Sequence, residues 1–256
     1  MITTLLKIPF LKRLIPSLSI KILRLLKKNR GYFKIKDINM FLDFLDPIDR
    51  EIILHQEFEN EEFNFLKSQI ENNKINYFLD VGANCGYYSI FIAKEVHNIN
   101  VLSFEPNKEA YLKFIKTLDV NQKLSEKIEL KDFGLSDFST SLEMQSMVKH
   151  GYSQTGGSSV IKDKKYKNFD TFFANFKVGD ECISFKNSKI AIKIDVEGHE
   201  MNVLLGLNNL LQNNKIILQI EIDKNNYILV NELLESLKFR FIFKSQERSN
   251  YFYTNS

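Results

Sequence analysis

The chain has 256 residues, 44% of them hydrophobic, which suits one domain with a sizeable core. Its net charge of +3 hides a split: Met1 to Lys36 carries ten basic residues and no acidic one, while the remainder has 25 basic against 32 acidic residues. Two distant cysteines, Cys85 and Cys182, with no CxxC pair argue against a disulfide framework or a zinc site and favour a reducing compartment.

Residues 1–36 interleave these charges with Leu and Ile at roughly helical spacing, as in "LSIKILRLLKK". The segment reads as an amphipathic helix, packed on the main domain or lying peripherally on the anionic inner face of a membrane. Charges interrupt every apolar run well short of the ~20 residues of a spanning helix. No small-residue cleavage site marks a signal peptide, and a cytoplasmic location is expected. Residues 37–256 are expected to form the main domain. Its first part, 37–75, reads as helix and loop, with Phe63, Leu66 and Ile70 on one helical face of "NEEFNFLKSQIEN".

Apolar runs then alternate with helical patterns. "YFLDV", "NVLSFEP", "KIELKDFGLS", "IAIKIDVEG" and "KIILQIEID" read as strands. "YYSIFIAKEVH", "NKEAYLKFIKTLDVNQ", "HEMNVLLGLNNLLQ" and "NYILVNELLESLK" read as helices, and "FRFIFKSQERSNYFYT" as a closing hairpin. This order predicts an α/β fold with a doubly wound, mostly parallel sheet and an antiparallel pair at its end. Residues 136–180 break the alternation with "HGYSQTGGSSV" and "KDKKYKN". So long a connection predicts an inserted hairpin or a substrate-facing loop.

Asp80, Gly82, Asn84 and Gly86 lie beyond the first parallel strand, where open sheets bind ligands. Their pattern, D-x-G-x-x-x-G, is not the G-x-G-x-x-G that wraps a pyrophosphate, which Asp80 would repel. A ligand that presents a cation suits it better. S-adenosylmethionine (SAM) has a sulfonium and an ammonium-bearing tail. The glycines are expected to let the backbone approach the ligand, and Asn84 to bond the tail carboxylate or brace the loop. Glu105 ends the second strand, 19 residues after Gly86, and suits both ribose hydroxyls. Asp132 and Phe133 follow the third strand, where an adenine amino group and ring are expected.

With these residues assembled, the chain resembles the FkbM family of SAM-dependent methyltransferases. The resemblance rests on "FLDVGANCGYYS", "SFEPNKEAYLKFI", "GLSD", "GGSSV", "FDTF", "IKIDVEGHEMNVLLG" and "LQIEI", in that order, from about Glu57 to Phe243. It implies a class I methyltransferase-like (Rossmann-like) fold. It further implies SAM contacts at Asp80, Gly82, Asn84, Gly86 and Glu105, with Ala83, Pro106 and Asn107 in the same runs, and a functional role for Asp195, Glu197 and His199. Lys108 stands where the family often has a second proline, and Gly134 where it often has alanine.

The expected activity is SAM-dependent O-methylation of a sugar hydroxyl in a surface glycan, a nucleotide-sugar precursor or a secondary metabolite. Asp195, Glu197 and His199 are expected to face the methyl group as base or hydroxyl clamp, with Glu221 and Asp223 ending the next strand. No metal ligand set is assigned. The alternatives are a SAM-binding protein without turnover and an N-methyltransferase of a small molecule. Asp80 and the missing G-x-G-x-x-G count against an NAD enzyme. The net acidic residues 37–256 count against a nucleic-acid partner.

Overall fold

The computed structural model describes residues 29–149, 152–161 and 168–256. Arg30–Ile35 (β1) pairs antiparallel with Ile38–Asp43 (β2), and the helices Pro47–His55 (α1) and Asn60–Asn73 (α2) follow. Tyr77–Val81 (β3), Tyr87–Glu95 (α3), Asn100–Phe104 (β4), Lys108–Asp119 (α4), Gln122–Ser125 (α5) and Ile128–Lys131 (β5) begin the alternation. An insertion then supplies Gly134–Ser136 (β6), Thr140–Lys149 (β7), Tyr152–Ser153 (β8), Ser159–Val160 (β9) and Phe169–Val178 (β10). Gly179–Cys182 (α6), Lys189–Ile194 (β11), Glu200–Gly206 (α7), Asn208–Asn213 (α8), Lys215–Glu221 (β12) and Tyr227–Ser236 (α9) resume the alternation. Arg240–Lys244 (β13) and Asn250–Thr254 (β14) close the chain.

The seven-stranded main sheet has the order β13-β14-β12-β11-β3-β4-β5. β5, β4, β3, β11 and β12 run parallel, and β14 lies antiparallel between β12 and β13. The doubly wound fold with its terminal antiparallel pair is therefore the one the alternation predicts. Strand alternation sends successive residues to two cores. Phe78, Val101, Ala191, Ile217 and Phe252 join helices α2 to α4 on one face. Leu79, Val81, Ile192, Ile194, Leu218 and Ile220 meet α7 to α9 on the other. In α4, Ala110, Phe114 and Leu118 repeat every four residues and are buried. Fully burying a side chain such as Phe114 is worth ~1.5–3 kcal/mol.

Four expectations need correction. The basic segment was expected to be helical through residue 36, but Arg30–Ile35 is a strand; its burial alternates at period two, which fits a pleat and not a helix. Residues 1–28 of that segment lie outside the described residues. Strand β2 occupies a stretch read as helix and loop; its partner β1 supplies the ladder bonds that local pattern does not reveal. The helix "HEMNVLLGLNNLLQ" is interrupted at Leu207 and forms α7 and α8.

Finally, "KIELKDFGLS" is two strands, because β6 leaves the main sheet to pair parallel with β10. That second sheet has the order β6-β10-β7-β8, with β9 on β7. The β7–β10 pair is a long antiparallel ladder, from Phe169↔Met147 to Phe176↔Thr140. Residues 162–167, most of the charged run, lie outside the described residues. Among those described, no helix is long and apolar enough to cross a membrane.

Candidate active site

A cleft of about 630 Å³, counting its open mouth, lies beyond the carboxyl ends of β3, β4 and β11. Gly82, Asn84, Glu105 and Pro106 form one side, and Asp195, Glu197 and His199 another. The insertion covers it with Met144, Thr155 to Ser158, Val160 and Phe176. Among the described residues no Lys or Arg lines it.

The loop after β3 is built to hold its own shape. The backbone N–H groups of Gly82 and Ala83 both donate to the Phe104 carbonyl, each at 3.0 Å. Gly82 has φ 84, and a Cβ there would lie 1.9 Å from the Asp195 carbonyl oxygen. Gly86 has φ 85, and a Cβ there would strike the Phe114 ring at 2.4 Å. Both glycines make room for the protein's own backbone and ring, and Gly82 also lines the cleft.

Asp80 was expected at the loop mouth. It is instead buried beneath the loop, where its Oδ2 accepts from the Ser89 hydroxyl and, at 3.2 Å, from the Ser89 N–H. Its other oxygen is buried without a hydrogen-bond partner, and desolvation raises its pKa. Asp80 thus ties the strand to the first turn of α3.

Glu105 does line the cleft. Its two oxygens accept the backbone N–H groups of Asn84 and Asn107, each at 2.7 Å. Each oxygen keeps a second lone pair, so hydroxyl donors can still bind. Burial pushes this carboxyl up to about 7, against the lowering effect of the two N–H groups. Asn107 caps α4 through Glu109 N–H and donates to the Ser158 hydroxyl at 2.9 Å, tying the insertion to the end of β4. Asp132 is exposed, and Phe133 packs on Phe104 in the second core. Neither belongs to the cleft wall, where Leu135, Met144, Val160 and Phe176 supply the apolar surface instead.

The sequence after β11 brings Asp195, Glu197 and His199 together as expected from its position at a strand end. Glu197 has a left-handed backbone, φ 51, uncommon for a residue with a side chain. It leans over the mouth next to Gly157. Desolvation, and then the charges of Asp195 and Glu200, push it up to about 7. His199 Nε2 shares a 3.0 Å hydrogen bond with the Ser136 hydroxyl, and its ring packs edge-on against Phe176.

Sequence reasoning missed Lys193. It is 4% exposed and donates to Asp195 Oδ2 at 2.8 Å. Although burial opposes it, Asp195, Glu59 and Asp80 hold it protonated, above the ordinary lysine range. A charged residue inside "IAIKIDV" was the available signal, since a central strand buries both faces. Lys113 was missed too. It donates to Asp49 Oδ2 at 2.7 Å and to Thr155 Oγ1 at 2.9 Å, while Asp46 Oδ2 accepts both the N–H and the hydroxyl of Thr155. This cluster anchors the insertion over Asn84. Among the described residues no group of His, Cys, Asp and Glu converges as a metal set.

Several known proteins are similar. Hexuronic acid methyltransferase AglP of Haloferax volcanii is 30% identical over 148 residues, 55% of this chain and 54% of that one. The chain thus spans about half the length of the curated relative it matches. Methyltransferase FkbM of Methylobacillus flagellatus has a solved structure that is 14% identical with a TM-score of 0.49, covering 70% of this chain and 43% of the other. TYW2 of M. jannaschii, solved in complex with AdoMet, is 10% identical with a TM-score of 0.46, covering 88% and 84%. The sequence family described as the methyltransferase FkbM domain matches residues 80–243, from the glycine loop past the "IDVEG" turn and most of the way through the fold. The chain belongs to the FkbM methyltransferase family.

Proposed function

We propose that the protein is a SAM-dependent O-methyltransferase acting on a sugar hydroxyl. The observation that carries this reading is the acidic cleft at the strand ends, where Glu105 keeps lone pairs for hydroxyls and Glu197, pushed up toward neutrality by burial and its acidic neighbours, lines the wall. A general base works best when its pKa lies near the operating pH.

The donor set fits SAM. Glu105, Asp195 and Glu197 offer negative charge to a cationic ligand, and Glu105 retains lone pairs for ribose hydroxyls. Leu135, Met144, Val160 and Phe176 suit the faces of a purine. When bound, SAM supplies a methyl group already activated for attack by an acceptor oxygen. Glu197 takes the proton of that acceptor hydroxyl. Asp195, fixed by Lys193, accepts a hydrogen bond from the acceptor and orients it. The insertion narrows the cleft with Met144, Val160 and Phe176.

AglP carries a hexuronic acid in its name, so hexuronic acids are the first acceptors to test. The acidic cleft requires that a uronate turn its carboxylate away from Asp195 and Glu197. The assay is S-adenosylhomocysteine formation across nucleotide-linked sugars and uronates. Glu197→Gln is expected to lower turnover by ~10²–10⁴-fold, the usual worth of a base, with little change in calorimetric S-adenosylhomocysteine affinity. Parental turnover in that variant would sink the base assignment. Methylation of small amines but of no sugar would replace the reading with N-methylation.

A further inference from the structure

We propose that Glu221 and Lys193 are positioning residues that act through Asp195: Glu221 shares one proton with it, Lys193 holds its charge, and one Asp195 oxygen stays fixed toward the cleft. This rests on the reading of Asp195 as the residue that orients the acceptor.

The geometry begins in the sheet. β11 and β12 are parallel with Ile194 opposite Ile220, so Asp195 and Glu221 are the next residues along neighbouring strands. One step back, Lys193 lies opposite Gln219 on the same face. Lys193 donates to Asp195 Oδ2 at 2.8 Å, and the register sets Glu221 beside Asp195 on the neighbouring strand. Two carboxylates have no donor between them, so they can hydrogen-bond only by sharing one proton. Like charges side by side in a partly desolvated site also disfavour double ionisation.

The surroundings decide where that proton sits. Lys193 faces Asp195, Glu59 and Asp80; Arg248 from the β13–β14 turn faces Glu59 and Glu221; Glu197 follows Asp195. Lys193 is nearest to Asp195, so the negative charge stays there and the proton stays on Glu221. Desolvation and then the Asp195 charge raise the Glu221 pKa, while Lys193 holds Asp195 below its usual range against burial. Lys193 itself is held from behind. Its ammonium lies 4.9 Å from the centre of the Tyr88 ring, and the Tyr88 hydroxyl donates to Glu59 at 2.9 Å and accepts from Gln219 at 3.1 Å. Of the three residues only Asp195 lines the cleft, which is why Lys193 and Glu221 act through it.

Infrared difference spectroscopy of the full chain tests the shared proton without any acceptor. At neutral pH the difference between parent and Glu221→Gln is expected to show a protonated-carboxyl band, and raising the pH should remove it. In Lys193→Met the band should persist to higher pH, because the cation that eases ionisation is gone. An unchanged band in Glu221→Gln overturns the proposal.

Turnover with nucleotide-linked uronates tests the positioning. Glu221→Leu should lose on the order of 10²-fold in kcat, as a misplaced group does, and Glu221→Gln, which still donates to Asp195, should recover most of it. Calorimetric S-adenosylhomocysteine affinity should hold in both. A Leu variant with parental kcat also overturns the proposal. Failure of every sugar to yield S-adenosylhomocysteine would sink the proposed function instead, while the infrared measurement still decides the proton.

Discussion

Lys113 and Lys193 are both buried, at 7% and 4% exposure, and both sit among carboxylates. Their surroundings differ in one respect. Lys113, Asp46, Asp49 and Thr155 bond one another and join three segments, α1, α4 and the insertion, with one Asp49 oxygen left buried and without a hydrogen-bond partner. Lys193 instead meets Asp195, whose carboxylate also faces the cleft. The same pairing of charges serves as a clamp where it closes on itself and as a site where it stays open. Composition cannot distinguish the two; only the direction of the unused lone pairs does.

The sharpest test compares the two lysines directly. Lys113→Met leaves Asp46 and Asp49 buried without their cation, and losing one partner of such a pair costs ~3–5 kcal/mol. Lys193→Met should cost clearly less, because Asp195 reaches the cleft and Glu221 carries a proton. Urea unfolding of both variants measures this. Equal losses would show that the cluster around Lys193 is a clamp as well.

A second, smaller effect concerns pH. Burial raises Asp49 from 3.8 to about 6 and Glu105 from 4.5 to about 7, and Glu59 also upward. A carboxyl whose folded pKa is raised favours the fold most below its unfolded value, and that contribution is lost as pH climbs through the folded value. The raised lysines titrate far above this window, and the lowered Asp195 below it. Thermal stability of the ligand-free chain should therefore peak at pH ~4 and fall by ~5 °C or more toward pH 8. A melting temperature that rises over that range would mean these carboxyls are ionised at little cost, and that neither cluster is as dry as its packing implies.

Much of this was legible in the sequence where pattern and position coincide. Strand-helix alternation located β3, β4, β11 and β12, and hence the strand ends that carry Asn84, Glu105, Asp195 and Glu197. Illegible features depended on pairing partners. Strand β1 needed β2, and β6 needed β10, some 40 residues further on by the span of the insertion. Asp80 read as a ligand contact because its motif places it near the loop, yet alternation along β3 turns it inward, toward Ser89. Thr155 showed no local sign of its role, since Asp46 lies 109 residues away.

The smallest expected effect sharpens the contrast between two phenylalanines, one close to the loop motifs and one distant. Phe133 was expected to face the adenine because it follows the third strand. It lies in the second core against Phe104, with Lys177 above its ring at 4.3 Å. Phe176 comes from the far strand of the insertion and lines the cleft. Its ring fits over Gly134, where a Cβ would lie 2.4 Å away, so a glycine at that position lets the ring settle there. Aromatic contact of this kind is worth ~0.5–1.5 kcal/mol beyond area burial. Phe176→Leu should accordingly weaken S-adenosylhomocysteine by roughly 2- to 10-fold in calorimetric titration. Phe133→Leu should leave that affinity unchanged and lower stability alone. The reverse pattern would return the adenine to the end of β5 and leave the apolar wall of the insertion for the acceptor.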